Sequence, residues 1–156
     1  MDISKWVNTG YEALFVGFTV PLIAQTIKFT LNLIIKRKAD IRLFTTTGGM
    51  PSAHSASVVG LSTSVGLIKG FSSIEFAIAL GYAFVVMYDA AGLRRAAGKQ
   101  AACLNRILED FYKHEIQSIG GKLKELLGHT PIQVFWGAVL GAAYAYYIHQ
   151  HLLGIL

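Results

Sequence analysis

The sequence has few of the residues on which soluble and secreted proteins depend. Charged residues make up 15% of its 156 positions, only nine residues are acidic, and Cys103 is the single cysteine. One cysteine forms neither an internal disulfide bond nor a thiolate metal cluster. Intrinsic disorder is excluded as well, because disordered chains are rich in charge and poor in apolar residues.

Apolar residues take the place of the missing charge. They make up 53% of the chain, and the mean hydropathy is +0.48. This composition is too apolar for an average soluble domain and predicts a single membrane domain over residues 1–156. The net charge of +5 then reflects membrane topology and anionic lipid, so we expect membrane lipids and no nucleic acid as partners.

Four segments are apolar enough to be membrane-spanning helices, and a helix needs about 20 such residues to cross the hydrocarbon. They lie at about residues 11–35, 53–68, 73–91 and 131–153. We place a capping box, Ser72 with Glu75, at the start of the third segment.

Small residues recur every four positions in the second and fourth segments. They are Ala56, Gly60 and Ser64 in one segment and Gly137, Gly141 and Ala145 in the other. Such stripes let helices approach closely, either within one molecule or between the subunits of a homo-oligomer.

The third connection, residues 93–128, is the longest polar part of the chain. Apolar residues at helical spacing predict an amphipathic helix from about Gly98 to Ile116, lying along the membrane or under the bundle. The expected fold is therefore an all-α integral membrane helical bundle, with about four transmembrane helices plus this amphipathic helix.

Basic residues are distributed unevenly over the connections. Eleven of the fourteen lie in the first and third connections, which four spans place on one side of the membrane. The positive-inside rule makes that side cytoplasmic, so we expect a multi-pass protein of the cell's inner membrane. Cations that bind substrate phosphate would produce the same bias.

Two predicted helix starts resemble each other. GGMPSAHSA, at residues 48–56, and GHTPIQV, at 128–134, each combine glycine, histidine and proline, and we place Pro51 in the first turn of its helix. Backbone N–H groups at a helix start attract anions. Together these starts predict a cytoplasm-facing phosphate site, with Gly48, Gly49, Ser52, His54 and His129 as its candidates.

Lys28 lies within the first apolar segment. Gln25, Lys28 and Asn32 fall on one helix face, and this polar stripe is expected to face the bundle. Alternatively, Lys28 lies shallow enough to extend its charge to the membrane surface.

The end of the third segment offers further charges. Asp89 is followed by Arg94 and Arg95, which would point in different directions on an unbroken helix. Their convergence on one phosphate therefore requires a break near Gly92. Asp89 is equally well interpreted as a structural ion-pair partner.

Three motifs occur in order between Gln25 and Val134. They are TGGMPSAHSA, YDAAGLRRAAGKQAACLN and LKELLGHTPIQV. Residues 51–54, Pro-Ser-Ala-His, resemble the PSGH motif of the type-2 phosphatidic acid phosphatases. The whole set is similar to the divergent branch of that superfamily, described as acid phosphatase or vanadium-dependent haloperoxidase related.

The resemblance implies a phosphoryl transfer that uses no metal or other cofactor, on a lipid phosphate or diphosphate substrate. In the parent superfamily one histidine attacks phosphorus, a second protonates the leaving oxygen, and an acidic residue orients the nucleophile. By this resemblance His129 is the nucleophile and His54 the general acid. Gln133 stands where the parent motif has aspartate, so Asp89 and Glu125 are our candidates for the orienting acid.

The phosphate-holding cations also depart from the parent pattern. Leu123 stands where arginine is expected, so the candidates are Lys28, Arg94 and Arg95. The leading prediction is a lipid phosphate phosphatase or phosphotransferase. The alternative is a non-catalytic relative that binds anionic lipid phosphate head groups. A third interpretation, a small transporter or assembly factor, is supported by the membrane composition alone.

Other residues have purely structural interpretations. Thr130 and Gln133 would form a capping box around Pro131. His149 and His151, at the far end of the fourth segment, are expected at the membrane interface.

Overall fold

The computed structural model describes residues 6–37, 49–111, 123 and 128–154. Within these ranges the chain forms helices and no strand, which confirms the all-α prediction. The helices are α1 (Gly10–Lys36), α2 (Ala53–Lys69), α3 (Ile74–Ala91), α4 (Leu93–Phe111) and α5 (Pro131–Leu152). Helices α1, α2, α3 and α5 occupy the four apolar segments.

Helix α2 lies at the centre of the bundle and contacts α1, α3 and α5. Its contact with α5 is close because the facing residues are small. A Cβ atom at Gly141 would overlap the carbonyl oxygen of Ala56, and one at Gly137 would overlap that of Ser52. The two small-residue stripes therefore pack against each other within one molecule.

Large apolar side chains cover the outside of the bundle. Phe18 and Leu22 on α1 are 74% and 65% exposed, and Ile78 on α3 is 69% exposed. Among the described residues, two stretches are long and apolar enough to cross a membrane, Gly10–Ile35 and Ile74–Leu108. An apolar outer surface of this extent needs hydrocarbon around it, so the fold is that of a membrane helical bundle.

Polar contacts join α1 and α5 at the end of the bundle where α1 begins. His149 Nδ1 lies 2.7 Å from Glu12 Oε1, and the Asn8 backbone N–H donates to Glu12 Oε2. Glu12 is fully buried and His149 is 8% exposed. His149 is therefore buried against Glu12, a partner that the sequence did not indicate, and its position at the membrane interface stays a prediction.

The start of α3 differs from the predicted capping box. Ser73 caps the helix, and its Oγ accepts the N–H of Phe76 at 3.2 Å. Ser72 thus precedes the cap, and Glu75 falls one position too early to complete a capping box. A carboxylate in the first turn still interacts favourably with the helix dipole.

Helix α4 begins at Leu93, five positions before the predicted start, because α3 ends immediately before Gly92. Its buried face consists of Gly98, Ala101 and Asn105. Leu104 and Ile107, whose spacing predicted the helix, are 50% and 46% exposed. The bundle therefore leaves these two residues of the apolar face of α4 uncovered.

Candidate functional site

Two backbone hydrogen bonds bring the ends of three helices together. The N–H of His129 donates to the carbonyl of Ala90, in the last turn of α3, at 2.9 Å. The N–H of Ser52 donates to the carbonyl of Gln133, in the first turn of α5, at 3.0 Å. These two hydrogen bonds thus hold the starts of α2 and α5 and the end of α3 next to one another.

His54 and His129 meet at this junction. Their ring centroids lie 6.1 Å apart, and the rings are inclined by 75° in an edge-to-face arrangement. His129 is 3% exposed and immediately precedes the N-cap of α5, whereas His54 is exposed in the first turn of α2. The bundle therefore fixes one imidazole and leaves the other accessible.

Ser52 is the N-cap of α2, so the prediction that Pro51 lies in the first turn was wrong. The Ser52 Oγ accepts the N–H and the hydroxyl proton of Ser55, at 3.3 and 3.0 Å. Serine suits the cap position because its hydroxyl accepts a hydrogen bond from a backbone N–H of the first helical turn. Proline has no side-chain acceptor and could not do so. Both serines are fully buried.

Lys28 lies against the loop that leads into α2. It is 5% exposed, so it faces the bundle as the polar stripe predicted. A Cβ at Gly49 would lie 2.9 Å from Lys28 Cδ, and Gly49 has a φ of +80°. Two features therefore favour glycine at position 49. The backbone there is left-handed, and the Lys28 side chain leaves little room for a Cβ atom.

The charged candidates after α3 are placed as follows. Asp89 is half-buried and directly precedes Ala90, whose carbonyl binds the His129 N–H. Helices α3 and α4 are distinct at Gly92, where the convergence of these charges requires a break. Arg94 and Arg95 therefore lie in the first turn of α4. Their side chains, together with Gly48 and Glu125, lie outside the described residues.

The start of α5 contains the predicted capping box. The N–H of Gln133 donates to Thr130 Oγ1, and the N–H of Thr130 donates to Gln133 Oε1 at 3.0 Å. Pro131 occupies the first helical position. This capping role explains a glutamine at position 133 and holds the backbone next to His129.

The resemblance noted in the motifs extends over nearly the whole chain. The sequence profile of the divergent PAP2 family matches residues 10–144. The chain belongs to the divergent PAP2 family. A relative from Bacillus subtilis (strain 168), described as the uncharacterized membrane protein YuiD, is 45% identical over 130 residues. The match covers 77% of this chain and 82% of the relative. No solved structure matches the chain.

In this member of the divergent PAP2 family, sequence reasoning missed a contact between α4 and residue 123. Asn105 Nδ2 donates to the carbonyl of Leu123, and the Leu123 N–H donates to Asn105 Oδ1, both at 2.9 Å. Asn105 is the last residue of the second motif, and this position was the signal by which the sequence could have indicated it. Leu123, where the parent pattern has arginine, is held through its backbone.

The spacing of the two rings constrains how this divergent PAP2 site could take a phosphate. A nucleophile about 3–3.5 Å from phosphorus, and an acid within about 3 Å of the leaving oxygen, place the reacting nitrogens roughly 6 Å or more apart. Edge-to-face rings with centroids 6.1 Å apart leave a shorter gap between their nearest atoms. With the centroids 6.1 Å apart, the ring nitrogens that face each other decide whether this separation is met.

Proposed function

We propose that this protein is a membrane phosphatase or phosphotransferase that acts on a lipid phosphate or diphosphate through a phosphohistidine. The observation that carries the proposal is the meeting of His54 and His129 where the starts of α2 and α5 join the end of α3, with the buried Lys28 against the loop that leads into α2. The two histidines come from the starts of α2 and α5, which are far apart in the sequence. Membership of the divergent PAP2 family supports a relation to the phosphatase superfamily.

In the proposed first step, a ring nitrogen of His129 attacks phosphorus and the bond from phosphorus to the lipid oxygen breaks. His54 gives its proton to the departing oxygen. Water then attacks the phosphohistidine while His54 takes a proton from it, which releases phosphate and restores both rings. The burial of His129 suits the nucleophile, because a ring held in position loses little freedom at the transition state.

Cations stabilise the charge that spreads over the phosphoryl oxygens during this transfer. Lys28 supplies one from α1, and Arg94 and Arg95 are the further candidates because α4 begins directly after Gly92. Asp89 is our preferred orienting acid, since its neighbour Ala90 binds the His129 backbone. Glu125 remains the second candidate.

The proposed topology has four crossings, formed by α1, α2, α3 and α5. It places the site and both basic connections on the cytoplasmic side of the inner membrane. A lipid phosphate in the inner leaflet then reaches the histidines without crossing the bilayer.

The decisive experiment measures phosphate release from lipid phosphates and diphosphates by the purified protein and by His54→Ala and His129→Ala. Each substitution is expected to lower the rate by about 10²–10⁴-fold. The control is His151→Ala, because His151 is exposed and stacks on Tyr147 at the far end of α5. Acid-labile phosphate on the protein, lost in His129→Ala, would identify the nucleophile.

A second candidate function is binding of an anionic lipid phosphate head group without catalysis. It is favoured by Gln133, which serves a capping box where the parent pattern has the orienting acid. This function predicts that the protein retains lipid phosphates and that no phosphate is released. Release that depends on both histidines would reject it.

A further inference from the structure

An apolar groove of about 350 Å³ lies between α1 and α5, next to the loop that precedes α2. Its walls include Ile27, Leu31, Met50, Pro51, Trp136 and Val139. Met50, Trp136 and Val139 are 43%, 50% and 41% exposed, so the groove opens to the surroundings of the bundle. Its volume falls within the range of about 300–1,000 Å³ that is typical of small-molecule sites.

One part of the groove adjoins the candidate phosphate site. Ile27 directly precedes Lys28, whose stem lies against Gly49, and Gly49 directly precedes Met50. Pro51 in turn precedes Ser52, the cap of the helix that carries His54. The apolar wall and the cationic site are therefore built from the same stretches of chain.

From there the groove follows α5 towards the middle of the bundle. Ala143 also lines it and lies seven helical positions beyond Trp136, which is about 10 Å. The next residue, Tyr144, contacts Thr19 of α1 through their hydroxyl groups at 3.0 Å. A cationic site from which an apolar groove leads into the depth of the bundle matches an amphiphile with an anionic head.

We propose that this groove holds the hydrocarbon tail of the phosphate-bearing lipid whose head group occupies the site of His54 and His129. The inference rests on the proposed function for the identity of the head group. The lipid enters sideways between α1 and α5, so its tail stays in an apolar environment throughout. A neutral bilayer lipid gains the same apolar contact without the attraction of Lys28.

Trp136 is a natural reporter of groove occupancy. The chain has two tryptophans, and Trp6→Phe removes the other while keeping an aromatic ring beside Tyr11 and Phe15. The experiment places this variant in phosphatidylcholine nanodiscs. It measures quenching of Trp136 fluorescence by phosphatidic acid brominated on its acyl chains, and by phosphatidylcholine with the same chains.

We expect phosphatidic acid to quench more strongly. A charge-assisted hydrogen bond gives about a tenfold preference, which at about 5 mol% probe raises occupancy from about one twentieth to about one third. Lys28→Gln is expected to equalise the two probes. Equal quenching by the two probes in the protein that retains Lys28 would overturn the proposal, since the groove would then not distinguish phosphatidic acid from bulk lipid.

Filling the groove provides a second measurement that does not depend on Lys28. Ala143→Phe is expected to reduce quenching by brominated phosphatidic acid, whereas Ile78→Phe, on α3 and outside the groove, is the matched control. Equal loss in both variants would contradict the proposed location. Phosphate release is measured on the same samples, so selective quenching without release would reject catalysis and retain the groove.

Discussion

Gly141→Ala tests the close packing of α2 against α5, on which the position of the site depends. The added Cβ would overlap the carbonyl oxygen of Ala56 and lie 2.8 Å from the amide nitrogen of Gly60, so two backbones must separate. Overpacking of this kind costs about 1–3 kcal/mol. Replacing a helical glycine by alanine returns about 0.5–1 kcal/mol, so we expect a net loss of about 1 kcal/mol.

Gly81→Ala is the matched control for this substitution. Gly81 also lies within a helix, α3, but no atom lies within 4 Å of a Cβ built there. This variant should gain stability by about 0.5–1 kcal/mol through helix propensity alone. Both variants are unfolded with sodium dodecyl sulfate in mixed micelles and followed by circular dichroism. Equal shifts in the two variants would refute the packing argument.

Three further substitutions address the polar contacts. Glu12→Gln replaces the buried carboxylate that contacts His149 Nδ1 and should lower the free energy of unfolding by about 1–3 kcal/mol; a loss below about 0.5 kcal/mol, measured in the same titration, would contradict a stabilising role for this contact. Asn105→Asp removes the donor to the Leu123 carbonyl and should lower the free energy of unfolding by about 1–3 kcal/mol; an unchanged free energy in the same titration would contradict this contact. Thr130→Ala removes the cap of α5 and should cost about 0.5–2 kcal/mol, whereas Thr130→Ser should restore the loss.

Helix positions were largely predictable from the sequence because they depend on local properties. Apolar runs, small-residue spacing and the capping box at Thr130 are each read within a few residues of one another. The cap of α3 shows the limit of this reasoning. Ser72 and Ser73 are chemically identical, and the packing of the first turn decides which of them accepts a helix donor.

The candidate site was predictable in residue type and less so in arrangement. The motifs indicated His54 and His129, and the polar stripe indicated Lys28. The contact of Lys28 with Gly49, and the carbonyl of Ala90 that binds His129, join segments distant in the chain. Backbone carbonyls carry no residue-specific signal, so no motif could have revealed that contact.

The sequence by itself determined that this chain forms apolar helices, since hydropathy and helical periodicity are properties of consecutive residues. It also determined which residue types are available for phosphate chemistry. Only the tertiary structure decided that the stripes of α2 and α5 face each other and that Glu12 pairs with His149. Such contacts depend on how whole helices pack. The free energy of packing comes from many residues that are far apart in the sequence.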